Sequence, residues 1–154
     1  MVAQLQTYKG SLLLQKSLNK LSLEDIGKLY ITILPFISQI ICSEYGNYFF
    51  QKFLYFLNNY QKGQILASVK PNFLQICKHK FGNHSMQSLL RALRSNSEIL
   101  IFFLLVQQHL AELIVDENAY HILMTILIDF PEAKRNFLNE FIIMHVDLIS
   151  RSKT

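Results

Sequence analysis

The stretch EYGNYFFQKFL (residues 44–54) returns as KFGNHSMQSLL (residues 80–90), with Gly46 and Gly82 set 36 positions apart. A further 36 positions upstream stands Gly10, in YKGSLLLQKSLNKL. This tract keeps the glycine, the Gln (Gln15 against Gln51), the following Lys (Lys16 against Lys52) and the leucines. Downstream by 37 stands Ala119, in ENAYHILMTILIDF, where Leu123, Ile126 and Leu127 fall on Met86, Leu89 and Leu90. A unit this short cannot bury its apolar face alone. It must pack on its neighbours, so the chain is expected to be a stack with one continuous core.

Helix-start signals keep the same period. Ser22 with Asp25 and Ser95 with Glu98 have capping-box spacing. Asn58 lies between them as an N-cap, and Pro131, a residue favoured in a first helical turn, continues the series. From each unit's Gly (or Ala119) to this second start the intervals are 12, 12, 13 and 12 positions. One inserted residue near Leu93 and Arg94 therefore accounts for the shift from 36 to 37. Pro35 and Pro71 stand at the entrances of a shorter third helix and end the helix before it. The third helices are FISQIICSEY, NFLQICKHKF and HLAELIVDE. No stretch alternates at period two, so no strand is expected.

The fold predicted is all-α: a right-handed α-solenoid of about four three-helix repeats of about 36 residues, in one domain over residues 1–154. The repeats fall near 1–34 (a truncated first), 35–70, 71–107 and 108–154. The closing stretch NFLNEFIIMHVDLISRSKT packs by its apolar stripe and ends in a polar cap, Arg151, Ser152, Lys153 and Thr154. Residues 1–8 supply only Val2 and Leu5 to the opening helix. The first unit's flank is expected to be uncovered, as in a fragment, a truncated chain or one that docks on a protein partner.

Composition agrees and excludes much. Apolar residues make up 51% and charged residues 17%, which suits a packed core rather than a disordered chain. The net charge of +4 is compatible with a polyanion partner without specifying one. Cys42 and Cys77 form no disulfide framework and read as free thiols in a reducing compartment. MVAQLQTYKG has no apolar core followed by a small-residue cleavage site, so no secretion leader is expected. The run ILIFFLLV (residues 99–106) falls well short of the roughly 20 residues that cross a bilayer, and reads as a buried helix with no membrane role.

Catalysis finds no support. Cys77-x-His79-x4-His84 matches no zinc spacing and lacks a fourth ligand. Glu24, Asp25, Glu98 and Glu132 sit at caps and turns rather than in carboxylate pairs. No Ser–His–Asp or Cys–His arrangement and no GxxxxGK loop is present. No metal, no cofactor and no enzymatic activity are expected.

The repeated frame asks for another use. On a helix opening at Gly46, Asn47 and Gln51 are i and i+4 on one face. Tyr48 is rotated about 100° to their side, while Phe50, Phe53, Leu54 and Leu57 point to the core. Asn83, Gln87 and His84 repeat this arrangement, with Met86, Leu89, Leu90 and Leu93 inward. The expected outward set is two amides, each with donor and acceptor, beside a flat ring. That chemistry suits an unpaired base, its edge met by the amides and its face by the ring. The plainer reading makes Asn an N-cap and Tyr and Gln mere surface; two matching units at fixed spacing favour the base.

GNYFFQKFL and GNHSMQSLL closely resemble the RNA-reading helix of Pumilio-type (PUF) repeats. The resemblance runs from Gly10 to about Phe130, close in the two middle units, partial in the first and slight in the last. It implies that Asn47 and Gln51 meet one base edge while Tyr48 stacks, and that Asn83, Gln87 and His84 do the same. For this family such a pair implies uracil twice over. In the first unit Ser11 and Gln15 would form an edge tending toward adenine, with Leu12 where a ring or Arg usually stacks. In the fourth, Tyr120 and His121 would stack while Met124 supplies no amide. No unit carries the Ser-x-x-x-Glu edge of the family's guanine reader, and family domains generally have more repeats than this chain.

Lys16 and Lys52 follow the Gln and are placed to reach phosphates, with Lys78, Lys80, Arg91 and Arg94 extending a basic stripe; the alternative is a row of solvated cations. The resemblance implies a cytoplasmic protein that binds U-rich single-stranded RNA in mRNA 3′ untranslated regions. It would control translation or decay through a protein docked on its convex face or at its N-terminal end. Two alternatives stand beside this: a nuclear or nucleolar member binding ribosomal precursor RNA without a base code, and a protein-binding scaffold with a vestigial RNA face.

Overall fold

The computed structural model describes residues 1–132 and, beyond these, residues 135, 136, 139, 140, 143 and 146. The polar cap expected at residues 151–154 lies outside the described residues. The described chain is helical, with no strand among the described residues: α1 (Val2–Leu5), α2 (Tyr8–Ser17), α3 (Leu23–Ile33), α4 (Ile37–Ile41), α5 (Gly46–Phe53), α6 (Asn59–Val69), α7 (Phe73–Lys78), α8 (Gly82–Ala92), α9 (Asn96–Gln108), α10 (Leu110–Val115) and α11 (Tyr120–Asp129). The order short, central, long recurs along the chain. Central helices stack in one row, α2 on α5, α5 on α8 and α8 on α11. Each short helix, α1, α4, α7 or α10, lies against the central helix that follows it, and long helix α6 packs onto α4, α8 and α9. This is the α-solenoid that the period predicts.

Local chemistry sets the ends of the helices. Ser22 and Asp25 form a capping box at the start of α3, and Asn58 and Gln61 form another at α6. Ser95 and Glu98 do not. The Ser95 hydroxyl pairs with that of Ser97 at 2.8 Å, and the Glu98 carboxylate lies over Gly63 of α6, where no side chain stands in its way. Packing between helices outweighs the local cap here. Pro35 and Pro71 sit in one-turn 3-10 helices (Leu34–Phe36 and Lys70–Asn72) that end α3 and α6.

A further device holds each central helix. The amide of the unit glycine, or of Ala119, donates to a side chain three residues earlier. Thr7 Oγ1 accepts from Gly10 at 3.1 Å, Ser43 Oγ from Gly46 at 3.1 Å, His79 Nδ1 from Gly82 at 3.2 Å and Asp116 Oδ1 from Ala119 at 2.9 Å. The first turn of a helix leaves such amides without partners. Gly46 and Gly82 are required for another reason. A β-carbon at either place would stand 2.6 Å from the carbonyl oxygen of Ile40 or Ile76, so the short helix can approach only if the side chain is absent.

The apolar side chains merge into one core along the stack, with Phe49, Phe50, Phe53, Phe73 and Phe102 among its largest fully buried members. Burying each such ring contributes about 1.5–3 kcal/mol. All eight inward positions assigned to the two middle units are buried. Leu5 of α1 is also fully buried, so the first unit's flank is partly covered, while Tyr8 and Leu13 remain exposed. The inserted residue is taken up at the corner after α8. Where α2 and α5 run on into 3-10 turns (Leu18–Lys20 and Leu54–Phe56), α8 stops at Ala92 and residues 93–95 form an extended link to α9.

Candidate nucleic-acid interface

The stacked row of α2, α5, α8 and α11 brings the repeated frame together. Tyr48 is 59% exposed and His84 is exposed, as the frame predicts, and Gln51 and Gln87 are half-buried. Asn47 and Asn83 depart from expectation, with only 2% and 1% of their surface exposed. Asn47 Nδ2 donates to the carbonyls of Ser43 at 2.9 Å and Glu44 at 2.7 Å. Asn83 Nδ2 donates likewise to His79 at 3.1 Å and Lys80 at 2.8 Å. The turn that enters each central helix offers these carbonyls to the Asn side chain, and those of Ser43 and His79 also accept from the Asn47 and Asn83 backbone amides. Neither Asn amide therefore points out at a base edge. Each instead holds its Gln: Gln51 Nε2 donates to Asn47 Oδ1 at 3.1 Å and Gln87 Nε2 to Asn83 Oδ1 at 3.0 Å.

Ser11 is corrected in the same way. It is buried; its hydroxyl donates to the Tyr45 carbonyl at 2.8 Å and accepts from Gln15 Nε2 at 3.0 Å, tying the first unit to the second. Gln15 stays half-buried beside an exposed Leu12. In the fourth unit Tyr120 and His121 are both exposed, but their ring centroids lie 4.2 Å apart, so the two rings cover part of each other's faces.

Tyr48 separates two clefts. The smaller, about 250 Å³, lies between Tyr48 and His84, with Asn47, Gln51, Lys80 and Phe81 completing its walls. The larger, about 850 Å³, collects cations: Lys52, Lys62, Arg91 and Arg94 line it together with Gln15, Gln51 and Ser88. Burial pushes the Lys62 amine below the usual lysine range, and the Arg94 charge adds to this, against an opposing pull from Glu98. Arg91 is compensated by Asp129, with Nε 2.6 Å from Oδ2. Arg94 Nη1 donates to the Arg91 and Leu93 carbonyls at 2.6 and 3.1 Å. Lys16 is exposed. Lys80 Nζ lies 5.3 Å from the Phe81 ring centroid, at the rim of the smaller cleft.

The profile of the Pumilio-family RNA binding repeat matches residues 37–69 and 72–96. Two stretches of the chain resemble Pumilio repeats. The match covers α5 and α8 and both clefts' central walls. No curated protein sequence matches the chain. Among solved structures, the Puf4 RNA-binding domain, bound to an HO endonuclease RNA 3′ UTR recognition sequence, superposes with a TM-score of 0.86 at 19% identity, covering 94% of this chain and 45% of that one. The RNA-binding domain of yeast Puf5p, bound to AAT2 RNA, gives 0.81 at 24% identity, covering 92% and 41%. PUF-8 in complex with PBE-RNA gives 0.84 at 16% identity, covering 94% and 42%. At these identities the likeness establishes the fold, and the chain spans about two fifths of the length of those structures.

His79, singled out with Cys77 and His84 as metal-capable, serves the turn into α8 instead. His79 Nδ1 accepts from the amides of Phe81 and Gly82 at 3.1 and 3.2 Å, and no group of three metal-capable side chains gathers among the described residues. Cys42 and Cys77 are free. Burial pushes the Cys42 thiol up to about 11 and raises Cys77 further. Among the described residues no helix is long and apolar enough to cross a membrane. Two hydroxyls went unnoticed in the sequence: Ser88 and Thr125 donate to Gln51 Oε1 at 3.0 Å and Gln87 Oε1 at 3.1 Å, each across the boundary between units.

Proposed function

We propose that this chain binds single-stranded RNA along the row α2, α5, α8 and α11, with a base seated in the cleft between Tyr48 and His84. One observation carries this: two aromatic side chains on successive helices flank a cleft that has a half-exposed amide, Gln51, in its wall. A base has two flat faces and a polar edge, and stacking on such rings is worth roughly 1–3 kcal/mol per base. The Gln side chains meet the base edges, and Asn47, Asn83 and Ser11 hold the row in place. Lys52, Lys62 and Arg94 give the neighbouring cleft the charge that a phosphate backbone needs.

Puf4 and yeast Puf5p are each solved with an RNA, the Puf4 one a 3′ UTR recognition sequence. The corresponding proposal here is a U-rich mRNA 3′ untranslated target, read in the cytoplasm to govern translation or decay. The protein performs no catalysis itself. A protein partner on the outer face is part of the same proposal, since Leu100, Ile101 and Leu104 of α9 are exposed there.

The test is fluorescence anisotropy with U-rich, A-rich and C-rich oligonucleotides at two salt concentrations. Tighter binding to the U-rich strand at both supports base reading. Equal affinities with a steep salt slope would assign the RNA to charge alone, the mode of the nucleolar alternative. No binding to any strand would leave a protein scaffold.

A further inference from the structure

The polarity of the Gln51 amide is forced from the backbone outward. Carbonyls only accept, so the bonds from Asn47 to Ser43 and Glu44 must come from Nδ2 and use both its hydrogens. Asn47 Oδ1 is left facing Gln51 and requires a donor, which is Nε2 at 3.1 Å. Gln51 Oε1 then faces α8, where the Ser88 hydroxyl meets it at 3.0 Å. Two anchors, one on its own helix and one on the next, hold the side chain. What Gln51 still offers a ligand is one Nε2 hydrogen and one lone pair on Oε1.

From this the geometry points to Ser88 as a positioning residue that makes Gln51 selective among bases. The inference rests on the proposed binding of RNA in this cleft. Base edges present donors and acceptors in a fixed order, N3–H beside O4 in uracil and N6–H beside N1 in adenine. An amide free to turn about its terminal torsion answers either order. One anchored at both ends answers only one. The third unit thus sets the selectivity of the second, and a base is read by a pair of neighbouring helices rather than by one.

The other units grade the effect. Gln87 is held the same way by Asn83 and Thr125, but Thr125 has one hydrogen and directs it also at the His121 carbonyl, 2.9 Å away. The first unit lacks the second anchor. Lys52 stands where Ser88 stands one unit on (52 plus 36 is 88), and Gln15 is bonded to Ser11 alone. Selectivity should therefore be sharpest at Gln51, weaker at Gln87 and weakest at Gln15.

The experiment scans single substitutions of all four bases along a U-rich parent strand and measures Kd for the wild type, Ser88→Ala, Ser88→Thr and Gln51→Ala. At the position read by Gln51, Ser88→Ala should lower discrimination between the best and worst base by about fivefold, the size of one hydrogen bond. Thermal midpoint should be unchanged and Ser88→Thr should retain discrimination. Ser88→Ala that keeps wild-type discrimination, or that weakens all four bases equally, overturns the role. If Gln51→Ala discriminates as the wild type does, base reading in this cleft fails and the inference with it. If Gln51→Ala loses discrimination while Ser88→Ala does not, only the role of Ser88 falls.

Discussion

Asn47 and Gln51 stand one turn apart on α5 and share a hydrogen bond of 3.1 Å, yet Asn47 is sealed in the turn while Gln51 lies half open. The two amides of the frame therefore divide their labour. Asn47→Ala removes the side-chain donor to the Glu44 carbonyl and one of the two donors to that of Ser43, which keeps the Asn47 backbone amide, and should cost about 1–3 kcal/mol of stability, seen as a lower denaturation midpoint. Gln51→Ala should leave the midpoint nearly unchanged and weaken binding to a U-rich strand. Equal midpoints for Asn47→Ala and wild type would show that the turn does not depend on this side chain.

Tyr48 projects from α5 with more than half of its surface exposed. Tyr48→Ala should be neutral for folding and weaken RNA binding by roughly 1–3 kcal/mol, or about 5- to 150-fold in Kd. Tyr48→Phe should keep most of the affinity, since the ring face and not the hydroxyl does the stacking. Anisotropy titrations of the three proteins decide the matter; a weak binder in Tyr48→Phe would move the contact to the hydroxyl.

Gly82 and Gly27 offer a matched pair. A β-carbon at Gly82 would stand 2.6 Å from the Ile76 carbonyl oxygen and 2.9 Å from Cys42 Sγ, whereas one at Gly27 meets nothing within 4 Å. Gly82→Ala should destabilise by about 1–3 kcal/mol through overpacking. Gly27→Ala, inside α3, should stabilise by up to about 1 kcal/mol through helix propensity. Chemical denaturation of both variants checks the opposite signs.

The two thiols should be slow. Burial raises Cys42 to about 11 and Cys77 further, and the thiolate is the reactive form. A raised value means less thiolate at neutral pH, so alkylation of the native protein at pH 7 should be far slower than in denaturant. The rate for Cys42 should climb as pH rises toward 11. Rapid modification of the folded protein at neutral pH would contradict this.

What the sequence discloses and what it conceals divide along physical lines. Rules acting within a few residues were legible: the caps at Ser22 and Asn58, the prolines ending α3 and α6, the inward stripe from Phe50 to Leu57. The period exposed the stack because every unit must meet the same neighbours. The box at Ser95 failed because Glu98 found space over Gly63, a fact of two helices rather than one. Helical geometry gave Asn47 a direction but could not foresee that the entering turn would claim its amide. The acceptors Thr7, Ser43, His79 and Asp116 do one task with three chemistries, hydroxyl, imidazole and carboxylate, so matching by identity passes over them. Ser88 and Thr125 act across units, where spacing alone says nothing of contact.

The extended link at residues 93–95 lets the chain lengthen by one residue while α8 keeps its place between α5 and α11. Slack gathers at that outer elbow, and the row of central helices is left in step. A fluorophore carried at Ser95, next to Arg94 in the wall of the cationic cleft, would then sit where an arriving ligand is felt, giving a handle by which the free and occupied protein can be watched.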